Sequence, residues 1–378
     1  MTEILVVAND VVPGMGVPVA APGLRAWGIA QGLRRHGHRV TVAVDSDSAG
    51  RAWPGPLPIP RPHGTLVMSA QAIGDLVRTR RPDAVVLTNS NHFSALGGVG
   101  ETALIYDFFA PKLLELAEHL PPEQRRTAEE GLTRRKLAAL ARSSGVIVNG
   151  EKKVAYVDEW IARAGRAGDL PTAQVPMALD VTPAHPAEDG PLHAVVSGYL
   201  QPWSRPGAWT TAVRPFLDDG SLVLHLLVGT HWGSRRTGDV FPAEFTTLAE
   251  HPNVVRHGLL EYADFRRMLA GCHLSIDVFE ANPERELAMV TRSMVALAAG
   301  VPVLHVPFTE TGALVERYDA GWLVDDGDLD GITAALQEAV KDRQALADRR
   351  AGAERMGAEV MDPVVATRPL HELLERLR

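Results

Sequence analysis

The chain has a single cysteine, Cys272, in 378 residues. That excludes an intrachain disulfide framework and a cysteine-based zinc cluster, and it fits a reducing compartment. An excess of basic charge is missing too. The formal net charge of −8 and a pI of about 6.0 speak against a broad nucleic-acid footprint. A local arginine pocket would still serve an anionic small ligand. No apolar run approaches the ~20 residues that cross a bilayer. The opening "MTEILVVAND" has no cationic n-region before its apolar run, so no signal peptide is expected. These absences point to a cytoplasmic protein.

What is present is the composition of a folded α/β chain. Hydrophobic residues make up 46%, and the length exceeds one ordinary core, so two domains are expected. "ILVVA" (4–8) is a continuous apolar run of the kind buried on both sheet faces. A Gly- and Pro-rich loop (9–23) follows, then helical spacing in "LRAWGIAQGLRRHG" (24–37), then "HRVTVAV" (38–44). That order predicts parallel strands with right-handed crossovers. The pattern continues through 70–90 (helix, then strand), "ALIYDFFAP" (103–111), an amphipathic helix at about 122–143, and "SGVIVNG" (144–150). The aperiodic 167–193 reads as an inter-domain connection. A second series of strands follows at 193–200, 221–229, 253–258, 274–279, 302–306 and 321–324, with helices between, among them 261–272 and 328–356. The expected architecture is α/β, with two Rossmann-like lobes facing across a cleft. Domain one spans 1–180 and domain two 181–359. A last helix, about 360–378, has no place in the second sheet and is expected to return to the first lobe.

This arrangement resembles the GT-B fold of nucleotide-sugar glycosyltransferases. The residues "VALAAGVPVL" (295–304) and "TETGALVERYDAGWLV" (309–324), with glutamates just upstream, resemble retaining enzymes of glycosyltransferase family four. "NPERELAMVTRSM" (282–294) resembles a subgroup of that family with E-R-x-L-A-x-x-T-R. "PGLRAWGIAQGLRRHGHRVTVAV" (22–44) resembles the same subgroup's N-terminal stretch. "VVSGYLQPWS" (195–204) and "RHGLLEYADF" (256–265) stand where the subgroup has its nucleotide-side loops, so Gly198, Tyr199, Trp203 and Leu260 are placed at the donor. Three positions depart from the family. Val295 replaces its second glutamate, and Tyr199 its arginine; Ser204 stands at the lysine, with Arg205 close enough to substitute.

The physical reading centres on 279–304. A diphosphate needs cations or backbone N–H groups, and helix N-termini supply the latter. Val290, Thr291 and Arg292 open a helix after a strand's carboxyl end, where open α/β sheets bind ligands. Arg292 offers a bidentate fork; Arg285 is a second cation, and Glu284 and Glu286 are acceptors for sugar or ribose hydroxyls. The bland alternative is that the glutamates favour the helix start and pair with the arginines. Gly14 and Gly16 lie in a loop that lacks G-x-G-x-x-G and the P-loop lysine; the resemblance places them near the donor. Arg25, Asn91, His92, Phe108 and Lys112 are expected on the acceptor side, and Asp107 steers a hydroxyl. His92 is a base if the reaction inverts. "DSD" (45–47) and "DDGD" (325–328) are explained by helix capping, so no metal is expected. His225, His257 and His305 sit on separate strands with no ligand spacing.

The implied activity is transfer of a sugar from a nucleoside-diphosphate sugar to a hydroxyl-bearing acceptor, with retention and without metal. Asp107, Glu286 and Arg292 are its catalytic residues. No tightly bound cofactor is implied; the nucleotide sugar is a co-substrate. The expected partners are this donor and a small-molecule or glycan acceptor, with no nucleic acid and no membrane span. A non-hydrolysing sugar-nucleotide epimerase and a catalytically silent nucleotide-sugar-binding protein remain alternatives.

Overall fold

The computed structural model describes the whole chain apart from residues 1, 54, 97–99, 184, 188, 200, 202–204, 230–242 and 378. The chain divides into two compact units, one of residues Met1–Leu179 with Val360–Arg378, the other Asp180–Glu359. Each unit is a parallel sheet with helices in the crossovers.

The first unit begins β1 (Glu3–Ala8), α1 (Ala21–Arg35), β2 (Arg39–Asp45), α2 (Ser46–Ala52), β3 (Thr65–Met68) and α3 (Ala70–Arg80). It continues with β4 (Ala84–Leu87), a 3-10 segment (Ser90–Leu96), β5 (Ala103–Asp107), α4 (Lys112–His119) and α5 (Pro122–Arg142). It closes with β6 (Gly145–Val148), α6 (Lys152–Arg163) and β7 (Thr172–Gln174). The strand order is β3-β2-β1-β4-β5-β6-β7, so the winding reverses between β1 and β4. Ile4 to Ala8 of β1 are buried, because helices cover both faces of a parallel sheet.

The second unit runs β8 (Leu192–Tyr199), α7 (Trp209–Ala212), α8 (Arg214–Asp218), β9 (Leu222–Gly229), α9 (Ala243–Leu248) and β10 (Val254–Arg256). Next come α10 (Tyr262–Ala270), β11 (Leu274–Asp277), α11 (Pro283–Glu286), α12 (Thr291–Ala298) and β12 (Val303–His305). Then follow α13 (Glu310–Tyr318), β13 (Gly321–Leu323), α14 (Leu329–Lys341) and α15 (Arg343–Met356). The order β10-β9-β8-β11-β12-β13 reverses between β8 and β11.

After a π-helical turn at Gly357–Met361 the chain forms α16 (Pro363–Arg376), which packs on α1 in the first unit. The contact is close: a Cβ on Gly32 would lie 2.2 Å from Thr367 Oγ1 and 2.3 Å from the Pro363 carbonyl.

Three local expectations change. The segment read as connection from 167 contains β7, whose three residues pair with β6. β3, four residues long, pairs with β2 and had no periodic signal of its own. The long helix read over 328–356 is two helices, because the Asp342 carboxylate accepts from the amides of Gln344 and Ala345 and starts a new one. Among the described residues no helix is long and apolar enough to cross a membrane.

Candidate active site

In the second unit the reversal of strand order brings the carboxyl ends of β8 and β11 side by side, the position where doubly wound sheets hold ligands. Asp277 closes β11 with its side chain buried. One carboxylate oxygen accepts from Arg292 Nε at 2.6 Å, and the other accepts from the Ser293 hydroxyl. Both donors lie in the first turn of α12. The backbone carbonyl of Asp277 accepts from His305 Nδ1 at 3.0 Å, and His305 Nε2 meets Thr309 Oγ1 at 2.9 Å. Burial pushes the His305 pKa down to about 4, so the ring is neutral.

Arg292 lies along β8. A Cβ at Gly198, where φ is +107°, would come within 3.2 Å of Arg292 Cδ, so a glycine here gives the arginine its path. The guanidiniums of Arg285 and Arg292 sit 5.5 and 5.7 Å from the ring centroid of buried Phe279. Arg285 also pairs with buried Glu284. Asn282 caps α11 by accepting from the Arg285 amide at 3.0 Å. Two cations are thus gathered at one strand end. Arg292 keeps 23% of its side chain exposed while Asp277 anchors it.

The other donor-side candidates differ in exposure and partners. Glu286 is exposed at the end of α11, Thr291 and Tyr199 are half-buried, and Leu260 is half-buried between β10 and α10. The Val290 amide is not available for a phosphate, because it donates to Thr311 Oγ1 at 2.8 Å. Arg205 is exposed and lies 3.8 Å from Glu280, a glutamate to which the sequence reading gave no role. Trp203 lies outside the described residues. Val295 is 1% exposed in the core of the unit.

In the first unit one interaction joins two of the expected residues. Arg25, expected to meet an anionic ligand group, donates to both oxygens of Asp107, at 2.9 and 3.1 Å, and to the carbonyls of Val175 and Pro176. Neither side chain has any exposure. Asp107, expected to steer a hydroxyl, is therefore held by an arginine of its own chain. Phe108 is also core, in edge contact with Tyr106 and Tyr156. His92 is buried with Nε2 3.8 Å from Asp45, and burial lowers its pKa. Gly14 and Gly16 carry positive φ in a loop pinned by buried Met15.

A cavity of about 480 Å³ remains at the carboxyl ends of β1, β4 and β5. Asn91 and Lys112 line it as expected residues; His92 and Phe108 do not. Asn89 accepts from the Asn91 amide at 2.8 Å, and Lys112 pairs with Glu115 at 2.7 Å. Lys136 of α5 lines the same cavity and was missed. Its cue was periodicity, since it lies four residues after Leu132 and four before Leu140, both buried on one helical face. Asp277 was missed because an acid closing an apolar strand has no local signature.

The acidic runs behave as caps. Asp45 accepts from the Ser48 amide and Asp328 from the Gly331 amide. The histidines expected to be scattered are partly joined. His193, His225 and His257 form a hydrogen-bonded row with spacings of 2.8 and 3.0 Å, and burial takes the His225 pKa down to about 4. His38, His371 and Glu375 form a group whose ligand atoms lie within 4.8 Å of one another.

The two parallel-sheet α/β units, each with its strand-order reversal, define the fold of the GT-B glycosyltransferases. No protein-family model matches the chain, and no curated protein sequence does. Among solved structures it is similar to sucrose-phosphate synthase from Thermosynechococcus elongatus, at 14% identity and TM-score 0.73, covering 100% of this chain and 99% of that one. It is similar to Anabaena HepE, solved with UDP and glucose, at 17% identity and TM-score 0.69, with both chains covered in full. A third is an alpha-glucosyltransferase solved with UDP and a 13-mer DNA, at 12% identity, TM-score 0.66 and 99% coverage of each chain. Identities this low carry the fold alone. The expectation of no nucleic-acid partner now rests only on net charge, since this fold includes a transferase solved on DNA.

Proposed function

We propose that this chain is a glycosyltransferase that moves a sugar from a nucleoside-diphosphate sugar onto an acceptor hydroxyl, with retention and without a metal. The observation that carries the reading is the Asp277–Arg292 pair beside Gly198 at the strand-order reversal of the second unit. It presents an anchored guanidinium where α/β sheets bind anions. Neighbours of the same fold solved with UDP support the donor class.

In this reading Arg292 and Arg285 stabilise the charge that develops on the leaving diphosphate as the anomeric C–O bond breaks. The amides of Thr291 and Arg292 at the N-terminus of α12 add to that field. Glu286, exposed on α11, and Glu284 receive donor hydroxyls. Tyr199, Arg205 and Leu260 border the donor. The acceptor occupies the first-unit cavity near Asn91 and Lys112, its oxygen bonds to the anomeric carbon, and its proton is released. Asp107 is reassigned from steering substrate to positioning Arg25. Capping by Asp45 and Asp328 supports the metal-free reading.

The test is a panel of nucleotide sugars assayed for nucleoside diphosphate release, with and without acceptors. Arg292→Ala is expected to weaken UDP binding at least tenfold. An unchanged affinity refutes its phosphate role, and no binding of any nucleotide refutes the whole reading. Binding without turnover on any acceptor favours a silent binder, a reading to which buried Val295, in place of the family glutamate, gives specific support. The product anomer, read by NMR, tests retention, and an unchanged rate in EDTA tests metal independence.

A further inference from the structure

The first-unit cavity contains an unexplained charge. Lys136 is 3% exposed, and among the described residues its ammonium makes no hydrogen bond or ion pair. Aromatic rings surround it instead. Nζ lies 3.7 Å from the centroid of Phe108, 5.8 Å from Trp160 and 5.9 Å from Tyr106. A buried ammonium without a counterion is costly, and burial brings its pKa down to about 7. Lys112 and Lys153 press in the same direction, while Glu115 and Asp107 oppose it.

The nearby carboxylates are already committed. Both Asp107 oxygens accept from Arg25, and Glu115 pairs with Lys112. Lys153 donates to Asn149 at 2.6 Å. What faces the cavity is therefore Lys136 and its neighbour Arg135 with no committed anion, beside the amides of Asn9, Asn89 and Asn91. A volume of about 480 Å³ suits a ligand of sugar size. The asparagines match hydroxyls, and the lysine lacks only an anion.

We infer that the first-unit cavity binds an anionic, hydroxylated small molecule bearing a phosphate or a carboxylate, with that group paired to Lys136 and Arg135. Its role as acceptor rests on the glycosyltransferase reading; the binding itself does not. Pairing an anion with Lys136 favours its protonated form, so above about pH 7 binding takes up a proton, and affinity falls as pH rises toward the ordinary lysine range.

Calorimetric titration of the full chain at pH 8 with glucose 6-phosphate, glucuronate and glucose tests this, in buffers of different ionisation enthalpy. At least one of the two anions is expected to bind tenfold or more tightly than glucose, with a buffer-dependent heat that reports proton uptake. Which anion binds distinguishes phosphate from carboxylate. Lys136→Met is expected to lose both the preference and the uptake, with circular dichroism and urea unfolding measured in parallel to show that the first unit of the variant is folded. Equal binding of all three sugars, no binding of any, or a preference that survives in Lys136→Met overturns the inference. The proton uptake of the wild type decides independently should the variant fail to fold. If UDP binds and the anions do not, this inference fails and the donor reading stands. If the anions bind and no nucleotide does, the reverse holds.

Discussion

Replacing Arg25 by methionine is the sharpest test of how the first unit is built. The substitution removes a bidentate pair with Asp107, at 2.9 and 3.1 Å, and donors to two carbonyls at 2.6 and 2.7 Å. Neither partner of the pair is exposed, so water does not replace the lost contacts without rearrangement. Stranding one partner of a buried ion pair costs about 3–5 kcal/mol. The two carbonyls add about 1–3 kcal/mol each where they stay unsatisfied. The expected loss is at least about 5 kcal/mol, a large share of the ~5–15 kcal/mol that holds a domain. Asp107→Asn keeps the shape and one acceptor oxygen, and should cost about 2–3 kcal/mol. Replacing both partners, Arg25→Met with Asp107→Leu, leaves no stranded charge. The double variant should therefore be more stable than the sum of the single changes by at least about 2 kcal/mol. Urea unfolding followed by tryptophan fluorescence and circular dichroism measures this, with the two units allowed separate transitions. Single changes below about 1 kcal/mol, or additive ones, refute the strut. So does an Asp107→Asn protein that stays fully folded while its turnover falls a thousandfold, because Asp107 would then act on the substrate.

Gly32→Ala should loosen α16 from α1 by about 1–3 kcal/mol, since the new Cβ would meet Thr367 and the Pro363 carbonyl. Faster proteolysis at the C-terminus reads it, and unchanged protection contradicts it. The pKa of buried His305 falls from 6.5 to about 4, so the folded form binds fewer protons. Its stabilising contribution is complete above about pH 6.5 and is lost as pH falls toward 4, at most about 3 kcal/mol. Tm should drop between pH 7 and pH 4.5, less so in His305→Asn; equal pH slopes in the two proteins contradict this. Cys272 is buried, with its thiol pKa pushed up to about 12, so a thiol reagent should label it only in denaturant. Rapid labelling of the native chain refutes that burial.

The elements that were legible in the sequence are those whose signal is local. "ILVVA" and "VTVAV" became β1 and β2 because continuous β-branched runs fit a sheet covered on both faces. The alternation of strand and helix sufficed for two parallel sheets. β3 and β7, four and three residues long, escaped because so short a run has no periodicity to read. At the candidate site the clustering of Glu284, Arg285 and Arg292 was legible, since they share one loop-and-helix stretch. The carboxylate that anchors Arg292, fifteen residues earlier in β11, was not.

The sequence by itself determined the α/β class, the parallel order and the placement of charged residues after the strands, because each follows from local periodicity and chain direction. Only the tertiary structure decided what each charge does. Arg25 and Asp107 stand 82 residues apart and looked like two separate ligand contacts, yet they neutralise each other in the core. Lys136 looked like one more polar residue of a long helix, yet folding carried it into an aromatic pocket without a counterion. The free energy of a buried charge depends on the partner that folding brings within about 3 Å, and no local stretch of sequence contains that partner.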